Sequence, residues 1–342
     1  MHNVLVIRLS ALGDVAIMAP LVERYASANP DLRFTVAGPP LLQPLFEGMA
    51  NVEYLGLKKK QSFIKIYQVL NAVGADTVID LHKVNRVGFA LTLLRLRHLF
   101  DFHFRLCALR KGKLSRWLFL HHLKTTPRKP QYQRYDDVFR RAGLSASLAL
   151  PLPLSQGEGI ESQQSATASP LPGRGAGVRP TTIGIAPFAQ HKGKIWPAEL
   201  MQQLIGLLAR RGYSVILFGS KDEAPTLEQW AEPYEGVTSV AGKQSFREEL
   251  DIIKSLSLMV SMDSANMHFA SALGVPVVSI WGATHPDFGF YPYNQNRSNA
   301  LCANLPCQPC SAYGNRPCRF GDYRCLHAVT PQMVLDKILA NG

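Results

Sequence analysis

Short runs of consecutive apolar residues alternate along this chain with longer segments in which apolar residues recur every three or four positions. The short runs are rich in Val and Ile, as buried strands are, and the longer segments have the spacing of amphipathic helices. Strands that alternate with helices predict βαβ units and a parallel sheet. Because the strand runs are continuously apolar, we expect both faces of each sheet to be covered.

The alternation occurs twice, which predicts two units of the same kind. In the first half, strands are predicted over 4–9, 33–38 and 76–82, and helices over 15–27, 63–73 and 86–96. In the second half, strands are predicted over 181–187, 214–220, 256–263 and 275–282, and helices over 197–211, 223–232, 245–255, 265–273 and 330–342. Sheets of this kind bind ligands at the carboxyl ends of their strands. The pattern therefore predicts an α/β protein with two Rossmann-like, doubly wound domains that face a cleft.

A segment of different composition separates the two halves. Residues 151–180 are rich in Pro, Gly, Ser and Gln, contain no aromatic residue and have no periodicity, which predicts a flexible linker or insertion. The predicted domains are therefore 1–150 and 181–329, followed by a terminal helix at 330–342.

Composition narrows the class of protein. Apolar residues make up 46% of the 342 residues, which is enough for two buried cores and excludes a disordered chain. No run of about 18 uncharged apolar residues occurs, so no membrane-spanning helix is predicted. Arg8 and Asp14 interrupt the start of the chain before the core of a signal peptide could form, so we expect a cytoplasmic protein.

The positive charge is concentrated in one stretch. Between Lys83 and Arg134 there are thirteen Lys and Arg residues and a single acid, Asp101, so this stretch accounts for the net charge of +12. A region of one sign attracts polyanions such as nucleic acid, an anionic membrane surface or a phosphorylated substrate. Interleaved aromatic residues, including Phe100 and Trp117, suit stacking or anchoring at a membrane interface. The alternative is an ordinary solvated face.

The turn after the first strand is the first candidate for chemistry. Its sequence, RLSALGD, places Gly13 where backbone can approach a ligand closely and Asp14 at the start of a helix. The turn lacks GxGxxG, so it is not a dinucleotide fingerprint. Asp14 has two interpretations: it caps its helix, which is the commoner role, or its carboxylate faces the cleft as a general base.

A second candidate joins a buried strand to a helix in the second half. Asp263, Ser264 and Ala265 stand at the predicted helix N-terminus, where free N–H groups and the helix dipole favour an anion, and His268 follows one turn later. The alternative is an ordinary helix cap with a surface histidine.

Two further loops carry charge at predicted strand ends. Lys192 and Lys194, in HKGKIWP, form a plausible diphosphate clamp, or a solvated loop. Glu223, in GSKDE, is an acid placed where nucleotide-binding folds hold ribose hydroxyls, which alone is a weak signal.

Five of the six cysteines crowd near the end of the chain. Four of them have the ligand count of a thiolate metal site, but the second pair lacks the CxxC spacing of a zinc ribbon: Cys307, Cys310, Cys318 and Cys325. Packed, reduced thiols are the favoured interpretation, structural zinc is the second, and a disulfide formed on isolation is the third.

Taken together, RLSALGD, HKGKIWP and MDSANMHFASALGVPVVSIWG, in this order and across both halves, resemble the motifs of glycosyltransferase family 9, the heptosyltransferases. The resemblance implies a GT-B fold, with the acceptor on the first domain, a nucleotide-sugar on the second, and a last helix that crosses back to the first. It implies transfer of heptose from ADP-heptose to the inner core of lipopolysaccharide, with inversion and without a catalytic metal or other cofactor. The polyanionic glycolipid acceptor would account for the basic stretch and implies peripheral contact with the inner face of the cytoplasmic membrane.

By the same resemblance, Asp14 is the base that deprotonates the acceptor hydroxyl and Lys194 meets the donor phosphates. The remaining donor residues are expected to be Lys192, Glu223, Asp263, Ser264, Ala265, Asn266 and His268, and the acceptor residues Ser10, Gly13, Lys83, Arg86 and Arg116. Two departures bear on the identity of the donor: Ala265 replaces the usual Gly of the donor loop, and Ala189-Gln190 replaces a common Thr-Thr pair.

Three other functions compete with this one. An epimerase on the same fold would act on the nucleotide-sugar alone. A nucleic-acid-binding protein would use the basic stretch, but no recognisable nucleic-acid module surrounds that charge, so no nucleic-acid partner is expected. A zinc-stabilised scaffold would use the cysteines without catalysis.

Overall fold

The computed structural model describes residues 2–58, 61–101, 103–110, 112–123, 126–146 and 181–341. The predicted linker at 151–180 lies outside the described residues. Within them, the chain folds into two parallel sheets.

The first sheet has five strands in the order β3-β2-β1-β4-β5. Its strands are β1 His2–Ile7, β2 Leu32–Gly38, β3 Val52–Gly56, β4 Thr77–Asp80 and β5 Arg105–Ala108. The helices of this half are α1 Leu12–Ala28, α2 Phe63–Ala72, α3 Asn85–Arg97, α4 Lys113–Leu120 and α5 Gln131–Arg141. One face of the sheet packs against α1 and α5, and the other packs against α2 and α3.

The second sheet has six strands in the order β11-β10-β9-β6-β7-β8. Its strands are β6 Thr182–Ala186, β7 Ser214–Leu217, β8 Val237–Ser239, β9 Leu258–Met262, β10 Val277–Trp281 and β11 Ala300–Cys302. The helices are α6 Ala198–Arg210, α7 Ala224–Ala231, α8 Phe246–Lys254, α9 Ala265–Ala272, α10 Arg324–His327 and α11 Pro331–Leu339. All residues of β9 and β10 are buried, which confirms the expectation from their continuous apolar runs.

The sequence missed several short elements. β5, with the sequence RLCA, lacks a continuous apolar run, and β8 and β11 have three residues each. Helix α5 is mostly polar, and only the buried stripe of Tyr135, Val138 and Phe139 has helical spacing.

The two halves pack together through their helices. Helix α1, which follows β1, lies against α9, which follows β9, and one apolar cluster continues from the first half into the second. Met18 and Met267, one from each of these helices, are fully buried members of that cluster. Because each helix starts at the carboxyl end of its strand, this contact sets the two strand ends on either side of one cleft.

The terminal helix corrects an expectation. Helix α11 packs against α6 and β10 of the second half instead of crossing back to the first. Its buried residues Val334, Leu335 and Ile338 belong to the apolar core of the second sheet, which fixes the helix there. No helix among the described residues has the length and apolar character needed to cross a bilayer.

Candidate active site

A cavity of about 650 Å³ lies between the two halves. From the first half, residues 11–14 at the start of α1 line it together with Ile17 and Leu41. From the second half, the lining includes the ends of β6, β7 and β9 and the first turn of α9. The lining combines apolar and aromatic side chains with a nearly equal number of polar or charged ones, so the cavity suits a ligand with both apolar and polar parts.

Asp14 stands at the cavity wall with a side chain that is 17% exposed. Its Oδ2 forms an ion pair with the Arg8 guanidinium, and its Oδ1 accepts a hydrogen bond from the Tyr135 hydroxyl at 3.1 Å. The Ala11 N–H also donates to Oδ2, at 3.4 Å, at the start of α1. Both interpretations of Asp14 are therefore compatible with the geometry, because the carboxylate contacts the helix start and also faces the cavity.

The two partners of Asp14 were not predicted from the sequence. Burial by itself would lower the pKa of Arg8, but its interactions with Tyr135 and Asp14 outweigh burial and raise it. Burial and the Asp14 carboxylate both raise the pKa of Tyr135, so this phenol stays protonated and donates to Asp14. Arg8 offered one signal, as a charged residue that follows an otherwise apolar strand.

The loop between β9 and α9 forms the opposite wall. Ser264, Ala265 and Asn266 line the cavity at the first turn of α9. Ser264 is the N-cap residue, but its hydroxyl lies 3.2 Å from the Ser261 hydroxyl and makes no capping hydrogen bond. The first-turn N–H groups of α9 thus lack a side-chain cap at the cavity edge.

Lys194 is held beside this loop by a partly buried ion pair. Its Nζ lies 2.7 Å from Asp263 Oδ2 and also donates to the Asp263 carbonyl oxygen at 3.1 Å. The Thr284 hydroxyl donates to the same carboxylate oxygen at 2.9 Å. These contacts fix the lysine ammonium at the cavity wall, where both Lys194 and Asp263 are among the lining residues.

His268 is the residue at which the two halves meet. It is buried, and burial together with the Lys194 charge lowers its pKa to about 4, although Asp263 and Asp14 oppose the shift. The imidazole is therefore neutral near pH 7, and because it is buried, the alternative of a surface histidine is wrong. A Cβ placed on Gly13 would lie 2.6 Å from His268 Cδ2, so only glycine permits this approach of α1 to α9.

Of four other residues predicted for the site, one lines the cavity and three do not. Glu223 lines the cavity and accepts a hydrogen bond from the Ser220 N–H at 2.7 Å. Lys192 does not line it, since its ammonium lies 5.6 Å from the centre of the Tyr323 ring. Ser10 is not a lining residue either, and its Oγ lies within hydrogen-bond distance, 3.1 Å, of His82 Nε2. Arg116 reaches the wall only through Tyr313, whose hydroxyl accepts its hydrogen bond.

A second, basic cavity of about 510 Å³ lies beside the first half of the site. Lys83 and Arg86, which were predicted to bind the acceptor, line neither of the two cavities. Its charged lining residues are Arg110, Arg128, Lys129, Arg134, Asp137, Arg140 and Arg141. The sequence located the charge, but it did not predict that these cations meet in one cavity, because separate segments form that cavity: the end of β5 and the start of α4, the loop before α5, and α5 itself.

Arg128 is the most buried of these cations. Its Nη1 donates to the Phe288 carbonyl oxygen at 3.2 Å, and no ion pair to it occurs within the described part of the chain. Burial and the nearby Arg134 and Arg116 charges lower its pKa to about 10. Arg134 interacts electrostatically with Asp14, which places the basic cavity near the larger one. An uncompensated buried cation of this kind favours an anionic ligand.

The cysteines form a loose cluster. Burial, together with neighbouring Cys307 and Cys318, raises the pKa of the Cys310 thiol, and burial raises that of Cys325 to about 11. All six cysteines are free. Among the described residues, no three His, Cys, Asp or Glu side chains are placed to hold a metal ion, so the zinc alternative lacks a ligand set.

Comparison with known proteins places these features in a family. Residues 63–321 match the model of glycosyltransferase family 9 (heptosyltransferase). Lipooligosaccharide heptosyltransferase 2 of Haemophilus influenzae is 26% identical over 304 residues, which cover 84% of this chain and 85% of the relative.

Two solved structures from Escherichia coli have the same fold. ADP-heptose lps heptosyltransferase II superposes with a TM-score of 0.66 at 20% identity, covering 99% of this chain and 98% of that chain. Heptosyltransferase WaaC, solved with ADP, gives a TM-score of 0.65 at 20% identity, covering 99% of this chain and 100% of that chain. The similarity confirms the expected two-domain GT-B architecture.

Proposed function

Because this chain belongs to glycosyltransferase family 9, we propose that it transfers heptose from ADP-heptose to the inner core of lipopolysaccharide. The relatives support this assignment, since their names specify heptosyltransferases acting on lipopolysaccharide or lipooligosaccharide, and one was solved with ADP. The observation that carries the proposal is that Asp14 lines one cavity from the first half, and residues 263–266 and 268, at the junction of β9 and α9, line it from the second half.

In this mechanism Asp14 acts as the general base. The acceptor hydroxyl oxygen attacks the anomeric carbon of the donor, the bond to the diphosphate oxygen breaks, and the acceptor proton moves to Asp14. Attack from the side opposite the leaving group inverts the anomeric carbon. The contacts from Arg8 and Tyr135 hold the carboxylate in one orientation toward the cavity. General base catalysis of this kind typically contributes about 10²–10⁴-fold.

The opposite wall binds the donor diphosphate. Lys194 supplies a fixed cation, and the uncapped first turn of α9 supplies N–H donors with the positive end of its dipole. Both stabilise the negative charge that develops as ADP leaves. Glu223 holds a ribose hydroxyl at the end of β7. The neutral His268 donates a hydrogen bond to the donor without adding charge.

In this proposal, Lys194 and the dipole of α9 act in place of a catalytic metal. Lys194 and the uncapped start of α9 stabilise the diphosphate charge in this mechanism, and the reaction proceeds without a divalent ion. Activity that persists after treatment with a strong chelator supports this part of the proposal. Activity that is lost on chelation and restored by one metal contradicts it.

The basic cavity binds the anionic groups of the acceptor. Arg128, which has no ion-pair partner among the described residues, is available to pair with phosphate or carboxylate. Arg134 donates hydrogen bonds to the Gln131 side chain and the Arg110 carbonyl oxygen and adds positive charge that reaches Asp14. An acceptor anchored there would present its hydroxyl toward Asp14. The acceptor is a glycolipid, so the enzyme works in peripheral contact with the inner face of the cytoplasmic membrane.

The decisive experiment compares two aspartate variants. Asp14→Asn removes the base, and Asp31→Asn is the matched control, because Asp31 is an exposed acid near the far end of α1. Purified proteins are mixed with ADP-heptose and an inner-core acceptor, and the glycolipid product is measured by mass spectrometry. We expect Asp14→Asn to lose about 10²–10⁴-fold in turnover and Asp31→Asn to retain it.

The same variants distinguish a loss of catalysis from a loss of binding, and a transferase from an epimerase. Unchanged ADP affinity in Asp14→Asn, measured by calorimetry, would assign the loss to chemistry. Near-normal turnover by Asp14→Asn would remove Asp14 from the role of base. Conversion of ADP-heptose without any acceptor would identify an epimerase instead.

A further inference from the structure

Helix α3 has apolar residues on two of its sides. Its inner side is buried against the first sheet by Val87, Ala90, Leu91 and Leu94. On the outer side, Phe89 is 64% exposed, Leu93 39% and Leu96 59%. The spacing of four and then three residues places these three on one stripe of the helix. A helix of a soluble domain normally presents polar residues there.

The outer stripe continues beyond α3 at both ends. The Phe63 ring, at the start of α2, lies 6.1 Å from the Phe89 ring, and Ile64 beside it is 54% exposed. After α3, Leu99 is 62% exposed and Phe100 87%. These residues form what we call the α2–α3 face: Phe63, Ile64, Phe89, Leu93, Leu96, Leu99 and Phe100. A continuous exposed apolar face of this kind marks an interaction surface.

The charges on the two helices have one sign, and the acid that follows Phe100, Asp101, contacts the neighbouring His98 and His103 side chains. Lys65 on α2, and Arg86, Arg95 and Arg97 on α3, are all exposed, and neither helix contains an acidic residue. None of these four cations has an ion-pair partner among the residues that the structure describes. Arg97 makes one hydrogen bond, to the Asn71 side chain.

We propose that the α2–α3 face docks on an anionic membrane surface. Aromatic and aliphatic side chains surrounded by unpaired Lys and Arg are the combination that binds the interface of an anionic bilayer. Nucleic acid would use the cations but leave the aliphatic residues exposed to water. A protein partner would leave most of these cations without a counter-charge, unless its own surface were strongly acidic.

The position of the face suits the proposed reaction, and its use in catalysis rests on that function. Helices α2 and α3 follow β3 and β4, whose carboxyl ends lie at the same edge of the sheet as that of β1. Phe63 and Phe89, near the starts of their helices, therefore lie toward the cleft edge. Docking here would hold the basic cavity near the headgroup layer, where an anionic glycolipid is found.

The test is vesicle co-sedimentation of the full chain without substrate, so that it does not depend on the proposed activity. Vesicles of phosphatidylcholine alone are compared with vesicles that contain about 30% phosphatidylglycerol. The apolar variant is Phe89→Ser/Leu93→Ser/Leu96→Ser, and its matched control is Met333→Ser/Leu339→Ser, two exposed apolar residues on α11. The charge variant is Lys65→Gln/Arg95→Gln, and circular dichroism verifies that every variant folds.

We expect the wild type and the α11 control to sediment with the anionic vesicles and not with the neutral ones. The apolar and charge variants should each partition about tenfold more weakly, and about 1 M salt should weaken wild-type binding. Wild-type protein that stays in solution, or an apolar variant that binds like wild type, would overturn the proposal. A dimer that dissociates only in the apolar variant would also overturn it, by assigning the face to a second copy of the chain. Vesicle binding without heptosyl transfer would leave the docking inference standing and reject the proposed function alone.

Discussion

At the scale of single residues, Asp14 shows how one carboxylate meets two demands. It accepts a backbone N–H at the start of α1, and it also contacts Arg8 and Tyr135 at the cavity wall. A capping role and a catalytic role are compatible here, because the two oxygens have different partners. The sequence could not separate the roles, since both need an acid at this position.

The two lysines of the HKGKIWP loop give a matched pair of variants. Lys194→Met removes a cavity cation and keeps the alkyl stem, whereas Lys192→Met removes a cation that lies over Tyr323. Hydrogen bonds to charged groups contribute about 1.5–3 kcal/mol, so we expect Lys194→Met to weaken ADP binding about 10–100-fold by calorimetry. Lys192→Met should bind ADP nearly as wild type does.

Folding must be monitored in this comparison. Removing the ammonium leaves the buried Asp263 with Thr284 as its remaining side-chain partner, and the variant will unfold at a lower temperature. Calorimetry is therefore run well below the variant's unfolding midpoint. Equal ADP affinities of the two variants would refute the role of Lys194 in the donor site.

At the scale of elements, the site depends on how closely α1 approaches α9. These helices carry Asp14 and His268, and Gly13 lies in close contact with His268. The apolar cluster that includes both helices makes this approach part of the core rather than a loose contact between lobes. The spacing of the two walls is therefore set by packing, which resists small changes.

Adding one methyl group at this contact should test the spacing. In Gly13→Ala the new Cβ would lie 2.6 Å from His268 Cδ2, so the His268 ring or one of the two helices must shift. A displacement of about 1 Å can cost about 100-fold in rate, and we expect a loss of this order in kcat.

The control is Gly88→Ala on α3, where a Cβ would meet no heavy atom within 4 Å. This change should leave kcat unaltered and stabilise the helix by about 0.5–1 kcal/mol in thermal or chemical unfolding. If Gly13→Ala turned over as fast as Gly88→Ala, the close contact would have no role in catalysis.

At the scale of the whole molecule, charge is distributed unevenly between the two walls of the cleft. The first half holds the basic cavity and the exposed cations of α2 and α3, while the second half contributes Lys194 paired with Asp263. On the proposed function, the first half would attract the anionic glycolipid, and one cation and a helix terminus of the second half would bind the diphosphate. This division matches the proposed assignment of acceptor to the first domain and donor to the second.

Kinetics can test the acceptor half of this division. Arg134→Gln removes a cation of the basic cavity, and Arg211→Gln is the control. Arg211 is exposed after α6, and its side chain donates a hydrogen bond to the Leu207 carbonyl oxygen. We expect Arg134→Gln to raise KM for the acceptor about tenfold with little change in KM for ADP-heptose. A rise in KM for the donor alone would place Arg134 with the diphosphate instead.

The sequence by itself determined the architecture of this protein and much of its candidate site. Continuous apolar strands and helical spacing are local patterns, so they predicted two parallel α/β units and placed Asp14, Lys194 and Asp263 at strand ends. Those patterns missed short or polar elements such as β5 and α5, because such elements depend on neighbours for their stability.

Only the tertiary structure decided which side chains meet. Tyr135 lies 121 positions from Asp14 along the chain, and Thr284 lies 21 positions from Asp263, yet both bond those carboxylates. The burial that lowers the pKa of His268 likewise arises where the two halves pack together. Contacts between distant segments leave no periodic trace in a single sequence, because each is fixed by the packing of whole helices and sheets.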